Sequence, residues 1–162
     1  MVTFREVPDE ISLCVNISNC PIHCPACHSK ELWEDIGEFL TEEKIDALIE
    51  ENKGCTTFVI SGGDGNPEEV NNVAKYIKKT SSLLVCWYSG RNTIAPEIEL
   101  ENFDFIKLGP YIEERGGLDN PNTNQKFYEV VTSHTVDERG NMIYGLEDIT
   151  HKFWKNDLEK HW

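Results

Sequence analysis

The sequence has little positive charge and no long apolar run, and both absences exclude whole classes of protein. It contains 15 Lys and Arg residues against 29 Asp and Glu residues, which gives a formal net charge of −14. A surface this acidic repels nucleic-acid phosphates and anionic lipids, so we expect no nucleic-acid partner. No segment approaches the roughly 18 consecutive apolar residues that a membrane-spanning helix needs, so we expect no membrane span.

The chain also lacks a secretory leader pattern, internal repeats and low-complexity tracts. Its first residues, MVTFREVPDE, do not show a basic segment followed by an apolar one, so we expect a cytoplasmic protein. Thiols stay reduced in the cytoplasm, and clustered cysteines there indicate metal binding or catalysis. With 162 residues and no convincing linker, the chain is expected to form a single domain over residues 1–162.

Strand and helix patterns alternate along most of the chain. Strands are predicted at residues 11–18, 56–60, 83–89 and 103–108, helices after the capping residues Thr41 and Asn66, and a hairpin around residues 137–141. This alternation implies parallel strands joined by right-handed crossovers. A complete eight-fold barrel takes about 250 residues. We therefore predict an α/β fold, a partial (half) β/α barrel of mainly parallel strands with a C-terminal extension of hairpin and helix.

Three cysteines lie close together directly after the first predicted strand. Cys20, Cys24 and Cys27 have the spacing C-x3-C-x2-C within the segment NCPIHCPACH. Thiolates are soft ligands that select zinc or iron–sulfur clusters. Their position in one short segment lets them converge without closing a long loop. The triplet therefore predicts a metal centre at the end of this strand.

Three kinds of site are compatible with the triplet. A structural zinc site could recruit His23 or His28 as its fourth ligand. An electron-transfer cluster with four cysteine ligands could add Cys14, Cys55 or Cys86. A [4Fe-4S] cluster held by three cysteines would leave one iron open for a substrate. We expect the three further cysteines to be core or near-core residues instead, because two of them lie within apolar strand patterns.

A glycine-rich segment, SGGDG at residues 61–65, follows one predicted strand and precedes a helix. Free backbone N–H groups at such a junction lie at the carboxyl edge of a parallel sheet, where ligands bind. Gly62 and Gly63 let a ligand approach the backbone closely. Asp64 can accept a charge-assisted hydrogen bond. Taken alone, the segment is more typical of a tight turn with a capping Asp.

Together these motifs resemble radical S-adenosylmethionine (SAM) enzymes, and most closely the small activating enzymes of anaerobic (class III) ribonucleoside-triphosphate reductase. The resemblance rests on CPIHCPACHSKELW, SGGDGNP and IKLGPYIEERGGLDNPNTNQKFY, and it spans roughly residues 11–130. Two positions depart from the wider superfamily. Ala26 stands where many radical SAM enzymes have an aromatic residue, although the small reductase activases often have a small residue there. Asp64 stands where many relatives have Glu.

The resemblance implies a [4Fe-4S] cluster held by Cys20, Cys24 and Cys27, with SAM bound at the open iron. The residues that it places in contact with SAM are Ala26, His28, Gly62, Gly63 and Asp64. The implied reaction is the reductive cleavage of SAM to a 5′-deoxyadenosyl radical. This radical then abstracts a hydrogen atom from a glycine of the reductase.

The resemblance also implies two protein partners. They are the glycyl radical subunit of anaerobic ribonucleoside-triphosphate reductase and a low-potential electron donor such as flavodoxin or ferredoxin. Two alternatives stay open. One is an activase of another glycyl radical enzyme, such as pyruvate formate-lyase. The other is a noncatalytic binding module for zinc or an iron–sulfur cluster.

Overall fold

The computed structural model describes residues 1–17 and 40–154 of the chain. Within these ranges, seven strands form one sheet in which the order across the sheet follows the order along the chain. The strands are β1 (Val2–Thr3), β2 (Ser12–Ile17), β3 (Thr57–Gly62), β4 (Leu84–Tyr88), β5 (Phe105–Leu108), β6 (Lys126–Val136) and β7 (Met142–Asp148). The helices are α1 (Glu42–Glu51), α2 (Pro67–Thr80) and two short 3₁₀ helices, Leu100–Asn102 and Thr150–Phe153.

The central strands of the sheet are parallel and the outer ones are antiparallel. β2, β3, β4 and β5 pair parallel with one another in that order. β1 pairs antiparallel with β2, β6 with β5, and β7 with β6. Parallel neighbours need crossover connections, and α1 and α2 lie in the first two crossovers. The mixed α/β fold expected from the sequence is therefore confirmed. The curvature of a half barrel and the single-domain organisation stay predictions.

Both helices begin where the sequence predicts. The side chains of Thr41 and Asn66 each accept a hydrogen bond from the backbone N–H three residues further on, at 3.2 Å and 3.3 Å. Pro67 opens α2 in the first turn, where its missing N–H has no helical partner to lose. α1 ends at Glu51, and its C-cap Asn52 donates from its backbone N–H to the Ile49 carbonyl and from Nδ2 to the Leu48 carbonyl. No helix in the described part of the chain has the length and apolar character of a membrane span.

The sheet has an apolar core on each face. The core on the helix-covered face consists of Leu13, Ile45, Phe58, Ile60, Val70, Val73, Ala74, Ile77, Val85, Trp87, Ala95, Ile98, Phe103, Ile106 and Leu108. The core on the opposite face consists of Val7, Cys14, Val59, Cys86, Leu118, Phe127 and Ile149. Cys55 is half-buried against the first core. The prediction that Cys14, Cys55 and Cys86 are core or near-core residues is thus confirmed.

The predicted hairpin is confirmed and is longer than the sequence pattern indicated. β6 begins at Lys126, several residues before the apolar segment that predicted it. The turn closes where the Asp137 N–H donates to the Asn141 carbonyl at 2.8 Å. After β7 the chain returns to the sheet, and the ring of Phe153 meets that of Phe127 edge-on, with centroids 4.8 Å apart. This contact packs the 3₁₀ helix Thr150–Phe153 against the core on the opposite face of the sheet.

Candidate functional site

Most of the predicted site residues lie outside the part of the chain that the structure describes. These are the cluster ligands Cys20, Cys24 and Cys27 and the predicted SAM contacts Ala26 and His28. Gly62, Gly63 and Asp64 are described and lie together at the end of β3. Within residues 1–17 and 40–154, no group of three or more His, Cys, Asp and Glu residues is arranged to hold a metal ion. The ligand roles therefore stay predictions.

The end of β3 lies directly beside the end of β2, after which the cysteine-bearing segment begins. Ile17, the last residue of β2, pairs in parallel register with Gly62, the last residue of β3. Neighbouring strands are about 4.8 Å apart. Both halves of the predicted site therefore start from adjacent points on the carboxyl edge of the sheet.

Gly62 and Gly63 are required by the packing of this edge. Both have a left-handed backbone, with φ of 93° and 87°. A Cβ atom at Gly62 would lie 2.5 Å from the Ile17 carbonyl oxygen, and one at Gly63 would lie 2.6 Å from Val70 Cγ2. The fully buried Trp87 donates from Nε1 to the Gly62 carbonyl at 2.7 Å. These contacts explain both glycines without reference to a ligand, and their predicted role in SAM binding is not tested by them.

Asp64 is almost completely buried, and its carboxylate is bound by groups from the segment that follows β4. The residue is 2% exposed. Its Oδ1 accepts from Ser89 Oγ at 2.5 Å, and its Oδ2 accepts from the Gly90 N–H at 2.9 Å. Asp64 thus joins the end of β3 to the end of β4. Its predicted contact with SAM stays a prediction, and both of its oxygens already have partners within the chain.

Arg91 connects the ends of three strands at the same edge. Its Nη2 donates to the Asp64 carbonyl at 3.0 Å, its backbone N–H donates to Ser89 Oγ at 3.0 Å, and its carbonyl accepts from the Gly109 N–H at 2.6 Å. Its Nε lies 3.6 Å from Asp64 Oδ1 and is buried without a hydrogen bond, while 39% of the side chain is exposed. The guanidinium is therefore held firmly on one side and open on the other.

Lys107 joins the ends of β4 and β5. The residue is 8% exposed, and its Nζ donates to the carbonyl oxygens of Ser89 at 3.1 Å and Gly109 at 2.7 Å. Sequence reasoning missed both Lys107 and Arg91. The available signals were a lone charge inside the apolar segment FIKL and a cation directly after a predicted strand. Neither signal identifies the carbonyl or carboxylate groups that these side chains bind.

Tyr88, at the end of β4, is bound by the segment that precedes β2. Its hydroxyl donates to the Glu6 carbonyl. Burial, with the nearby Cys86 and Glu6, raises its pKa well above the usual value, so the hydroxyl stays protonated and available as a donor. The structure gives its hydroxyl a partner within the chain.

The three described cysteines are poorly placed to complete a metal site. Burial, followed by the charge of Glu6, raises the pKa of Cys14 to about 12. Burial also raises the pKa of Cys86 well above its usual value, and thiols bind metals as thiolates. Cys55 precedes β3 and so lies at the opposite edge of the sheet from Gly62. The predicted donor set for an iron–sulfur cluster therefore remains the thiolate triplet Cys20, Cys24 and Cys27.

One protein family matches the greater part of the chain. The model of the family described as 4Fe-4S single cluster domain matches residues 11–114. The matched region begins just before β2, includes the cysteine triplet and the loop that follows β3, and ends after β5. Neither the curated proteins nor the solved structures compared with the chain give a significant match.

Proposed function

The chain belongs to the 4Fe-4S single cluster domain family, and from this membership we propose that it is a radical SAM activase of a glycyl radical enzyme. Its substrate protein is anaerobic ribonucleoside-triphosphate reductase. The observation that carries the proposal is the family match over residues 11–114, within which the cysteine segment and the SGGDG loop start from adjacent strand ends.

In this proposal Cys20, Cys24 and Cys27 would hold the cluster, with no fourth ligand from the protein. When bound, the cluster would supply the electron for cleavage of the S–C5′ bond of SAM to methionine and a 5′-deoxyadenosyl radical. That radical takes a hydrogen atom from the Cα of a glycine in the reductase. The products are 5′-deoxyadenosine and a stored glycyl radical. An external low-potential donor provides the electron that reduces the cluster beforehand.

The contribution of the described residues is to position SAM. Holding a reactant in the right geometry can supply a large part of a rate enhancement. Two buried tethers link the ends of three strands at the carboxyl edge of the sheet. Asp64 joins β3 to β4 through Ser89 and Gly90, and Lys107 joins β4 to β5. These tethers hold the SGGDG loop in place relative to the ends of β4 and β5, and the pairing of Ile17 with Gly62 holds it beside the end of β2.

Anaerobic reconstitution tests the cluster and its response to SAM. We expect brown protein with about four irons per chain and an electron paramagnetic resonance signal that changes when SAM is added. The variant with Cys20, Cys24 and Cys27 all changed to Ser is expected to bind no cluster. One tightly held zinc per chain and no response to SAM would contradict the proposal and support the noncatalytic binding module.

The partner requires a separate experiment. Reduced, cluster-loaded protein is mixed with SAM and anaerobic ribonucleoside-triphosphate reductase, with pyruvate formate-lyase in a parallel sample. We expect a glycyl radical doublet with the reductase, together with 5′-deoxyadenosine. A doublet with pyruvate formate-lyase and none with the reductase would show that the substrate is a glycyl radical enzyme of the other class. Formation of 5′-deoxyadenosine without either doublet would leave SAM cleavage standing and remove both partners.

A further inference from the structure

The sheet ends in a strand whose outer edge has no neighbouring strand within residues 1–17 and 40–154. β7 pairs with β6 on one side and is the last strand in the order across the sheet. Its seven residues, MIYGLED, include no Lys, Arg or Pro. β1, at the other edge, has only two residues. Short length, Lys and Pro are the usual protection of a sheet edge, so β7 is the edge that is open to pairing with another strand.

The backbone groups of alternate residues in β7 point away from β6. The Ile149 N–H donates to the Phe127 carbonyl at 2.9 Å, and the Ile143 carbonyl accepts from Ser133 Oγ at 3.3 Å. In an antiparallel pair, alternate residues direct their backbone groups to the same neighbouring strand. The odd-numbered residues of β7 therefore face β6. The residues whose N–H and C=O groups point outward are Met142, Tyr144, Leu146 and Asp148.

The side chains of β7 are complementary to those of a second copy of the strand. Met142 is 50% exposed and Ile143 is 42% exposed. Antiparallel pairing about a two-fold axis at Tyr144 sets Met142 opposite Leu146 of the second copy, which joins two apolar side chains. The same pairing sets Ile143 opposite Gly145, and nothing lies within 4 Å of the missing Cβ of Gly145. The exposed apolar residues thus gain neighbours without a clash.

The charges of the hairpin fit the same register. Continued into the turn, the pairing sets Glu147 opposite Asn141 and brings Asp148 next to Arg139 of the second copy. The carboxylates of the two β7 strands then do not face each other, and the acidic end of each strand lies near a guanidinium. Asp137 is directed into its own turn, where Oδ1 accepts from the N–H groups of Arg139 and Asn141 at 2.9 Å.

The outer edge of β7 lies away from the predicted cluster. Lys126 pairs with Leu108 at the carboxyl end of β5, and Glu129 pairs with Phe105 at its amino end. The hairpin beyond Glu129 therefore extends past the amino ends of the parallel strands, whereas Gly62 lies at their carboxyl ends. Two copies that are joined through β7 leave both carboxyl edges free.

We propose that the outer edge of β7 is an interface between two copies of this chain, which pair antiparallel about a two-fold axis at Tyr144. The pairing joins the two sheets into one and gives the outward backbone groups hydrogen-bond partners. The formal net charge of −14 on each chain opposes association. Salt screens this repulsion, so the dimer should be more stable at higher ionic strength. The inference goes beyond the proposed function and depends on neither the cluster nor SAM.

Sedimentation equilibrium of the cluster-loaded protein measures the dissociation constant of the dimer at about 50 mM and about 300 mM NaCl. We expect a species of twice the 18.6 kDa chain mass, with the lower dissociation constant at the higher salt concentration. Tyr144→Glu sets two carboxylates face to face at the axis and should raise the dissociation constant about a hundredfold or more. Val136→Glu, at a residue of β6 that is 60% exposed, is the matched control and should leave the dimer intact.

Tyr144→Cys tests the position of the axis without adding charge. Opposed residues of a hydrogen-bonded antiparallel pair have Cα atoms about 5.5 Å apart, which is within the range of a disulfide. Oxidation with diamide should therefore link two copies of Tyr144→Cys, and it should link neither the wild type nor Val136→Cys. Equal yields of linked dimer in the three proteins would contradict the proposed axis. Circular dichroism checks each variant, and Tyr144→Cys carries the test if Tyr144→Glu does not fold.

The outcomes separate this inference from the proposed function. A wild type that is monomeric at both salt concentrations overturns the inference, as does a dimer that persists in Tyr144→Glu. A monomeric wild type whose affinity for the reductase falls in Tyr144→Glu also overturns it and assigns the edge to that partner. Tyr144→Glu should cleave SAM at the wild-type rate, because the interface lies away from the carboxyl edge. A dimeric wild type that does not cleave SAM would overturn the function and support the interface.

Discussion

Gly62 has no side chain, and this lets the ends of β2 and β3 lie close together. A Cβ atom there would lie 2.5 Å from the Ile17 carbonyl oxygen, and the residue has a φ of 93°. We expect Gly62→Ala to lower the free energy of unfolding by about 2 to 4 kcal/mol, because it adds a backbone clash to the strain of a positive φ. Urea denaturation followed by tryptophan fluorescence measures the change.

Two other glycines serve as controls for this substitution. Gly54 has a φ of 106° and nothing within 4 Å of its missing Cβ, so Gly54→Ala isolates the cost of the backbone conformation. Gly145 lies in β7 without a positive φ and also faces open space, so Gly145→Ala should be near neutral. Equal losses for Gly62→Ala and Gly54→Ala would show that the contact with Ile17 contributes nothing.

The buried Cys14 thiol predicts a loss of stability at high pH. The pKa of Cys14 is raised from 9.0 to about 12 in the folded protein, first by burial and then by Glu6. Ionisation therefore favours the unfolded chain, so the contribution is complete below pH 9.0 and is lost as the pH rises towards about 12.

Unfolding of the wild type and of Cys14→Ala, compared from pH 8 to pH 11, measures this effect. At pH 8 the wild type should be more stable by about 1 kcal/mol, because the substitution leaves a small cavity. The difference in the free energy of unfolding should shrink above pH 9 and then change sign, because the pKa of Cys14 is raised to about 12 in the folded protein. Parallel curves over the whole range would show that Cys14 ionises equally in both states.

Single residues also show where sequence reasoning stopped. The glycines and Asp64 were identified as a unit from their place between a strand and a helix, and the structure keeps them together. Their packing against Ile17 and their bonds to Ser89 could not be read from the sequence, because these contacts join segments that lie far apart along it. Arg91 was missed for the same reason.

At the level of elements, the side chain of Asp104 completes the pairing of β4 with β5. Its Oδ2 accepts from the Val85 N–H at 2.8 Å and from Lys78 Nζ at 2.8 Å, which also attaches α2. We expect Asp104→Ala to cost about 1 to 3 kcal/mol, because it leaves a buried backbone donor without a partner. Lys78→Ala removes only the partly exposed ion pair with Asp104 and should cost less than about 1 kcal/mol.

Chemical denaturation of these two variants provides the measurement. The expected order is a larger loss for Asp104→Ala than for Lys78→Ala. If the two losses are equal, the ion pair with α2 carries the stabilisation and the bond to the Val85 N–H does not. Circular dichroism at low urea confirms that both variants keep the native helix content.

The elements themselves could largely be predicted because their patterns are local. Both helices, the four parallel strands and the hairpin follow from apolar periodicity and capping residues. β1 was missed because it has two residues, Val2 and Thr3, and no pattern can be read from that length. The irregular pairing of β6 between Thr132 and Val136, where His134 has a φ of 59°, was also missed. It depends on how β7 returns, which is a tertiary property.

For the whole molecule, the position of both cores predicts that the fold does not depend on the cluster. The described residues alone build both apolar cores of the sheet. We expect cluster-free protein to keep its circular dichroism spectrum and a cooperative thermal transition. The midpoint should be lower than that of the loaded protein, because a ligand that binds only the native state stabilises it.

Thermal scans of loaded protein, cluster-free protein and the triple Cys→Ser variant test this expectation. The last two should unfold at similar temperatures. Absence of a cooperative transition in cluster-free protein would show that the metal centre is required for folding, as it is in small zinc domains.

The sequential order of the strands has a consequence for biosynthesis. The three thiols lie between β2 and β3, so a ribosome releases them before β4 and the Arg91 that follows it. Domains fold as units during synthesis. Iron delivered during translation would therefore meet the three thiols before β4 and the segment after it have been synthesised. We expect maturation to occur after release of the chain, and coexpression with cluster-assembly machinery to raise iron content without raising the yield of folded polypeptide.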